Sequence, residues 1–224
     1  VVEVAAGMGA LTVALAEAGA AEVLAIEFDR ALIPALRETT SAWPAVRVVQ
    51  ADATKIEWTA TLGAGPWVCC ANLPYNVGTS IVLDVVALPH VDPIIVMVQR
   101  EVAERLAAGP GSPAYGVDSV RVACRATPRI IRAVPREVFW PRPHVGSAIV
   151  RLDRLASPVG GPGLMRVVDA AFAQRRKTIR SAVQRLISAP SDAEQILAVA
   201  GVDPSSRPEQ LGVADFAAIA EALG

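Results

Sequence analysis

The sequence predicts an α/β protein: a mostly parallel, doubly wound sheet followed by a small all-α C-terminal domain. Three observations lead there. Apolar runs alternate with helically spaced segments along the first hundred or so of the 224 residues. Several early runs end on a polar residue, at Glu27, Asp52 and Asn72, as buried parallel strands do where they reach a ligand-binding edge. Beyond a Gly/Pro/Ser-rich stretch at residues 156–163, only helical spacing remains, and that sets a domain boundary between residues 158 and 159.

The elements follow in order. Residues 1–5 read as a short strand, the small residues Ala5-Ala-Gly-Met-Gly9 as a turn, and residues 11–18 as a helix. Residues 21–26 form a second strand, 30–40 a helix and 46–49 a third strand. A fourth strand ends at Asn72, residues 79–88 are helical, 93–98 form a fifth strand, and 100–108 a further helix. Residues 109–116 are a loop by composition. Residues 119–126 lean towards helix, and residues 129–134 and 147–152 read as strands joined across Phe139-Trp-Pro-Arg-Pro143. Residues 164–189, 192–200 and 213–223 read as three helices.

The composition narrows the function. No apolar run approaches a membrane span. Cys69, Cys70 and Cys124 lack C-x-x-C spacing and read as reduced, buried thiols of a cytoplasmic protein. His90 and His144 have no metal-ligand spacing, which argues against a zinc enzyme. The chain opens inside a strand pattern, so further sequence is expected upstream. The net charge of −1 hides an asymmetry: residues 99–185 carry 16 Lys+Arg against 6 Asp+Glu, while residues 1–98 carry 4 against 10. Such a basic block is either a polyanion footprint or a set of solvated arginines.

The strand ends carry the chemistry. A strand-to-helix turn of small residues, including Ala5, Gly7 and Gly9, lets a ligand approach the backbone. Glu27, about twenty residues later, stands where an acid accepts hydrogen bonds from ribose hydroxyls. Asp52 stands where an acid accepts from an adenine amino group. Together they point to an adenosine-containing cofactor. Asn72-Leu-Pro-Tyr75 then favours S-adenosyl-L-methionine over a nicotinamide. The amino nitrogen of adenine is a poor nucleophile because its lone pair is delocalised. Asn72 and the Leu73 carbonyl can accept its N–H bonds and aim the lone pair at a methyl group. Pro74 stiffens the turn, and Tyr75 can stack on an extruded base. Catalysis of this kind is mostly positioning and needs no metal.

The chain resembles the bacterial small-subunit ribosomal RNA adenine dimethyltransferases along essentially its whole length. The resemblance lies in Glu3-Val-x-x-Gly-Met-Gly-Ala-Leu-Thr12, Ile26-Glu-Phe-Asp29, Asn72-Leu-Pro-Tyr-Asn-Val77, Val98-Gln-Arg-Glu-Val-Ala103, Phe139-x-Pro-x-Pro143 and Phe172-Ala-Gln-Arg-Arg-Lys-Thr-Ile-Arg180. It implies a Rossmann-like class I methyltransferase that moves methyl groups from S-adenosylmethionine to two adjacent adenosines near the 3′ end of small-subunit rRNA, late in assembly of the 30S subunit. Carried over by position, cofactor contacts fall on Ala5, Gly7, Gly9, Glu27, Asp52 and Asn72, and base handling on Asn72, Leu73, Pro74 and Tyr75. Phe139 is a stacking partner or an ordinary core residue. Arg175, Arg176, Lys177 and Arg180 suit phosphate contacts, with Arg176 and Arg180 on one helical face. Some of these cations could equally hold the structure together. A monomer without membrane association is expected.

Three departures stand out. Ala5-Ala6 replaces the family's usual Gly-Pro, His144 a usual lysine, and Gly78 a usual small hydroxyl residue. Should the backbone at Ala5 need a positive φ, its methyl would crowd the cofactor. Two other readings remain open: a large-subunit rRNA adenine dimethyltransferase of the macrolide-resistance type, and an rRNA-binding assembly factor that has lost methyl transfer.

Overall fold

The computed structural model describes residues 1–161 and 163–224. Strands β1 (Val2–Val4), β2 (Val23–Glu27), β3 (Val46–Gln50), β4 (Trp67–Asn72) and β5 (Val91–Gln99) alternate with helices α1 (Ala10–Glu17), α2 (Ile33–Thr40), α3 (Trp58–Leu62) and α4 (Gly78–Ala87). Helices α5 (Arg100–Leu106) and α6 (Val117–Ala123) precede β6 (Ala126–Val134) and β7 (Ser147–Arg154). Helices α7 (Leu164–Phe172), α8 (Ile179–Gln184), α9 (Ala193–Val199) and α10 (Val213–Ala222) close the chain. The seven strands form one sheet in the order β3-β2-β1-β4-β5-β7-β6. The pairings β3/β2, β2/β1, β1/β4 and β4/β5 are parallel, and β5/β7 is antiparallel. This is the expected doubly wound architecture, with α3 an addition that sequence spacing did not reveal.

Burial explains the strand assignments. All five residues of β2 are buried, as in a strand covered on both faces. In β4, Trp67, Cys69 and Ala71 are buried while Val68 and Cys70 are partly exposed, so the adjacent thiols do point to opposite faces. The end of α4 and the start of β5 are tied down by a distant side chain: the Arg154 guanidinium donates to the carbonyls of Val86 at 3.2 Å and Leu88 at the helix end, and of Val91 at 3.2 Å at the strand start. A cation at a helix C-terminus satisfies carbonyls that have no intrahelical partner.

By backbone contacts the chain divides into two compact units, residues 1–103 with 128–154, and residues 104–127 with 155–224. The first holds the sheet. The second has its own core, in which Tyr115, Leu164, Val168, Ile179, Leu197 and Phe216 are buried. Phe172 lies edge-on to Tyr115 at 5.9 Å between ring centroids and 6.0 Å from Phe216. The buried Tyr115 hydroxyl donates to the Leu211 carbonyl at 2.9 Å. The boundary at 158/159 follows linker composition, whereas packing groups residues 104–127 with the C-terminal helices.

One helical expectation needs correction. Residues 164–189 do not form a single helix: α7 ends at Phe172 and α8 begins at Ile179. Between them the Lys177 N–H closes a turn on the Gln174 carbonyl at 2.8 Å, and Thr178 is extended with φ −72° and ψ 159°. The Ile179 N–H donates to the Ser206 carbonyl at 2.8 Å, a tertiary bond that outweighs local helix propensity.

Candidate functional site

Sheet order converts separated strand ends into neighbours. β3, β2, β1 and β4 lie side by side, and the strand order reverses between β1 and β4, where open α/β sheets bind ligands. Register aligns the ends. Val4 pairs with Ile26, Ile26 with Val49, and Val2 with Cys69. One residue beyond β1, Ala5 therefore comes level with Glu27 on one side and Asn72 on the other. A cleft of about 310 Å³ opens there, bordered among others by Ala5, Glu27, Phe28, Asp52, Pro74 and Val77.

The turn after β1 is wound left-handed. Ala5 has φ 60°, Gly7 59° and Gly9 91°, and Ala5 is the residue other than glycine with positive φ among the described residues. For an L-residue this conformation brings Cβ against the backbone. At Gly9 a Cβ would come within 2.9 Å of Leu36 Cδ1, so α1 and α2 approach too closely there for a side chain. The turn is laced to its neighbours: the Ala6 N–H donates to the Ile26 carbonyl at 3.2 Å and the Gly9 N–H to the Ala6 carbonyl at 3.0 Å.

Both acids are held in place by backbone groups. The Gly7 N–H donates to Glu27 Oε2 and the Asp29 N–H to Glu27 Oε1, each at 2.8 Å. Asp52 Oδ1 accepts from the Thr54 hydroxyl at 2.7 Å and its N–H at 3.0 Å, and Lys55 Nζ lies 3.3 Å from Oδ2. The Thr54 hydroxyl and N–H, with help from Lys55, hold the Asp52 carboxyl below the usual carboxylate range. A third acid, outside the cleft lining, is buried on the neighbouring strand. Glu3, 1% exposed on β1, accepts the Thr12 hydroxyl at 2.5 Å. Burial raises its pKa to about 7 despite that bond, with Glu27 adding repulsion.

The tetrapeptide stands at the end of β4. Leu73 is buried and its N–H donates to the Met97 carbonyl at 3.0 Å. The Pro74 carbonyl accepts from Val77 at 3.3 Å and Gly78 at 2.9 Å, which joins the turn to α4. Asn72 is exposed, and no hydrogen bond is recorded for its carboxamide among the described residues. Tyr75 is 36% exposed, and its hydroxyl lies 2.8 Å from Ser147 Oγ, which is buried at the start of β7. Ser147 was not foreseen as Tyr75's support, because a contact across 72 residues leaves no local trace.

The other expected site residues are placed less closely. Phe139 follows the short 3-10 turn Arg136–Val138 and is half-buried. No ring contact joins it to Tyr75 among the described residues. Arg176 and Lys177 lie in the turn between α7 and α8, so the expected helical face shared by Arg176 and Arg180 does not exist. Arg175 pairs with Glu209 at 2.8 Å and donates to the Pro113 carbonyl at 2.9 Å, and Arg180 lies 3.2 Å from Glu194. Arg176 and Lys177 are exposed with no ion pair recorded among the described residues.

Comparison with known proteins gives this geometry a context. The whole chain, residues 1–224, matches the family described as ribosomal RNA adenine dimethylase. The chain belongs to that family. It is 47% identical to the ribosomal RNA small subunit methyltransferase A of Kineococcus radiotolerans over 229 residues, covering 98% of this chain and 75% of that protein. It is also 47% identical to the Thermobifida fusca protein of the same name over 230 residues, covering 99% and 79%. Among solved structures, a dimethyladenosine transferase from Plasmodium falciparum superposes with TM-score 0.83 at 22% identity, over 97% of this chain and 87% of that one. The 23S rRNA methyltransferase ErmE superposes with TM-score 0.73 at 26% identity, over 99% and 89%. The two structures share the Rossmann-like fold of this dimethylase family member.

The residues present suit S-adenosylmethionine, the methyl donor of the family. Gly7 and Gly9 add no side chain to the turn after β1, while Ala5 sets a methyl group at the border of the cleft. Glu27 and Asp52 are acceptors already oriented by N–H groups, each oxygen retaining lone-pair capacity for hydroxyl or amino donors. Phe28, 69% exposed on the cleft wall, offers an apolar face beside them.

Proposed function

We propose that this chain is an rRNA adenine N6,N6-dimethyltransferase that modifies two adjacent adenosines near the 3′ end of small-subunit rRNA. The observation that carries this reading is the alignment of Ala5, Glu27 and Asn72 across adjacent strands, with Asp52 beside them, in a chain 47% identical to small-subunit methyltransferases. When bound, S-adenosylmethionine supplies an electrophilic methyl group. Glu27 and Asp52 hold the adenosine moiety, and Gly7 and Gly9 shape the turn beside it. Asn72 Oδ1 and the Leu73 carbonyl accept the N–H bonds of the target amino group, which favours pyramidal nitrogen. Pro74 fixes the turn, and Tyr75, steadied by Ser147, stacks on the base. Phe139 faces the base from the opposite side. The chemistry falls within residues 1–158, and residues 159–224 attach a helical domain.

RNA affinity in this reading comes partly from Arg176 and Lys177, which are free to meet phosphates, with Arg175 and Arg180 engaged first by Glu209 and Glu194. The working form is a cytoplasmic monomer acting on the assembling 30S subunit. Among the described residues, no helix is long and apolar enough to cross a membrane.

The test is nucleoside mass spectrometry after incubation with labelled S-adenosylmethionine and unmethylated small subunits, free small-subunit rRNA or large-subunit rRNA. Dimethyladenosine confined to small-subunit material supports the reading. Label on large-subunit rRNA moves the assignment to the activity that ErmE's name describes. RNA binding without label favours an assembly factor.

A further inference from the structure

Outside the cleft, the least expected surface is the segment that includes β6 and leads into β7. Trp140 is 97% exposed, and Ile130, Ile131, Val138 and Val145 are between 43% and 65% exposed. Ile130 and Ile131 are successive residues of β6 and face opposite sides of the sheet, so the exposed apolar surface of the following loop is that of Val138, Trp140 and Val145, within eight residues. The same segment is basic: residues 128–146 hold Arg129, Arg132, Arg136 and Arg142 against Glu137, a balance of +3. Arg136 and Arg142 both contact Glu137, and Arg129 is paired with Asp153 at 2.5 Å. Arg132 is exposed and has no ion pair recorded among the described residues. The segment ends at Ser147, which holds the Tyr75 hydroxyl. An apolar and cationic surface therefore runs directly into the support of the base-handling turn.

We infer that this segment is a platform for single-stranded RNA, on which Trp140 stacks a nucleotide flanking the target adenosine while Arg132 meets the backbone. The inference rests on the methyltransferase reading above and adds a second stacking site to it. Interleaved aromatic and arginine side chains are what unpaired nucleotides bind, since every base has a π-face and every linkage a charge. Pro135, Pro141 and Pro143 restrict the loop, so less ordering accompanies binding. The alternative occupant is a second copy of this chain added along β6, which stands at the end of the sheet. Arginine on both copies opposes that pairing, as charged edge strands generally do.

The experiment uses a labelled RNA hairpin whose loop contains two adjacent adenosines, with wild type, Trp140→Ala and Trp140→Phe. Binding is followed by anisotropy and by tryptophan emission. Trp58 and Trp67 are buried and Trp43 is half-buried, so Trp140 dominates any quenching by a stacked base. Trp140→Ala is expected to weaken RNA binding about tenfold and Trp140→Phe to restore most of it, with S-adenosylmethionine affinity equal in all three by calorimetry. Unchanged RNA affinity in Trp140→Ala, while wild type still dimethylates small subunits, overturns the platform alone. Wild type that sediments as a dimer and is split by Trp140→Ala also overturns it, in favour of self-association. Wild type that forms no dimethyladenosine on small subunits removes the methyltransferase reading, and the platform with it.

Discussion

Glu27 Oε2 accepts the Gly7 N–H at 2.8 Å, a bond that ties the end of β2 to the turn after β1 across twenty residues. Its other oxygen accepts the Asp29 N–H. A carboxylate serves two inward-facing donors, whereas a carboxamide serves one and turns an NH2 on the other. Glu27→Gln should therefore cost about 1–3 kcal/mol of stability and lower S-adenosylmethionine affinity about tenfold or more. Thermal melting and titration calorimetry read the two effects separately. Equal cofactor affinity would remove Glu27 from the binding machinery.

Ala5 carries the second prediction. Its φ of 60° places an L-residue where glycine is at ease. Ala5→Gly should stabilise the fold by about 1 kcal/mol, a rise of about 2–4 °C in Tm for a chain of this size. Because Ala5 borders the cleft, the same change should tighten S-adenosylmethionine binding. Calorimetry showing identical affinities would mean that the methyl group stays clear of the cofactor.

Tyr75 separates stacking from anchoring. Tyr75→Phe keeps the ring and leaves the buried Ser147 hydroxyl without its partner, at a cost of about 1 kcal/mol and a fall in kcat of about tenfold or less. Tyr75→Ala removes the π-face as well and should lose a further tenfold or more, in keeping with about 1–3 kcal/mol per stacked base. Single-turnover rates that fall equally in both variants would place the role of Tyr75 in the hydroxyl.

Glu3 gives a pH signature. Its folded pKa is raised from the usual 4.5 to about 7. Below the unfolded value both states are protonated and the penalty is absent. Between about 4.5 and 7 the unfolded chain ionises first, so stability falls as pH rises, by up to about 3 kcal/mol above pH 7. Glu3→Gln, which can still accept from Thr12, should melt like wild type at pH 4 and higher than wild type at pH 8. Melting curves with a pH-independent difference would place the cost elsewhere than in ionisation.

Much of the site was legible because parallel strands end where ligands bind. Glu27, Asp52 and Asn72 each interrupt an apolar run, and the sheet order sets β3 beside β2 and β4 one strand further on, across β1. The warning at Ala5 was also legible, since small residues between strand and helix imply an unusual φ. Distant pairings left no such trace. Glu3 to Thr12 sits across a strand–helix interface, and Tyr75 to Ser147 depends on β7 entering the sheet antiparallel. The break between α7 and α8 was hidden for a similar reason. Residues 173–178 have helical composition, and it is the tie from Ile179 to Ser206 that bends the chain away.

The bond between Tyr75 and Ser147 also imposes an order on the newborn chain. The strands that border the cleft, β1 to β4 with β5 beside them, all precede residue 100. Ser147 emerges from the ribosome some seventy residues after Tyr75, and only then can β7 dock and steady the ring. Vectorial synthesis thus supplies the strands that border the cleft before the residue that steadies the Tyr75 hydroxyl.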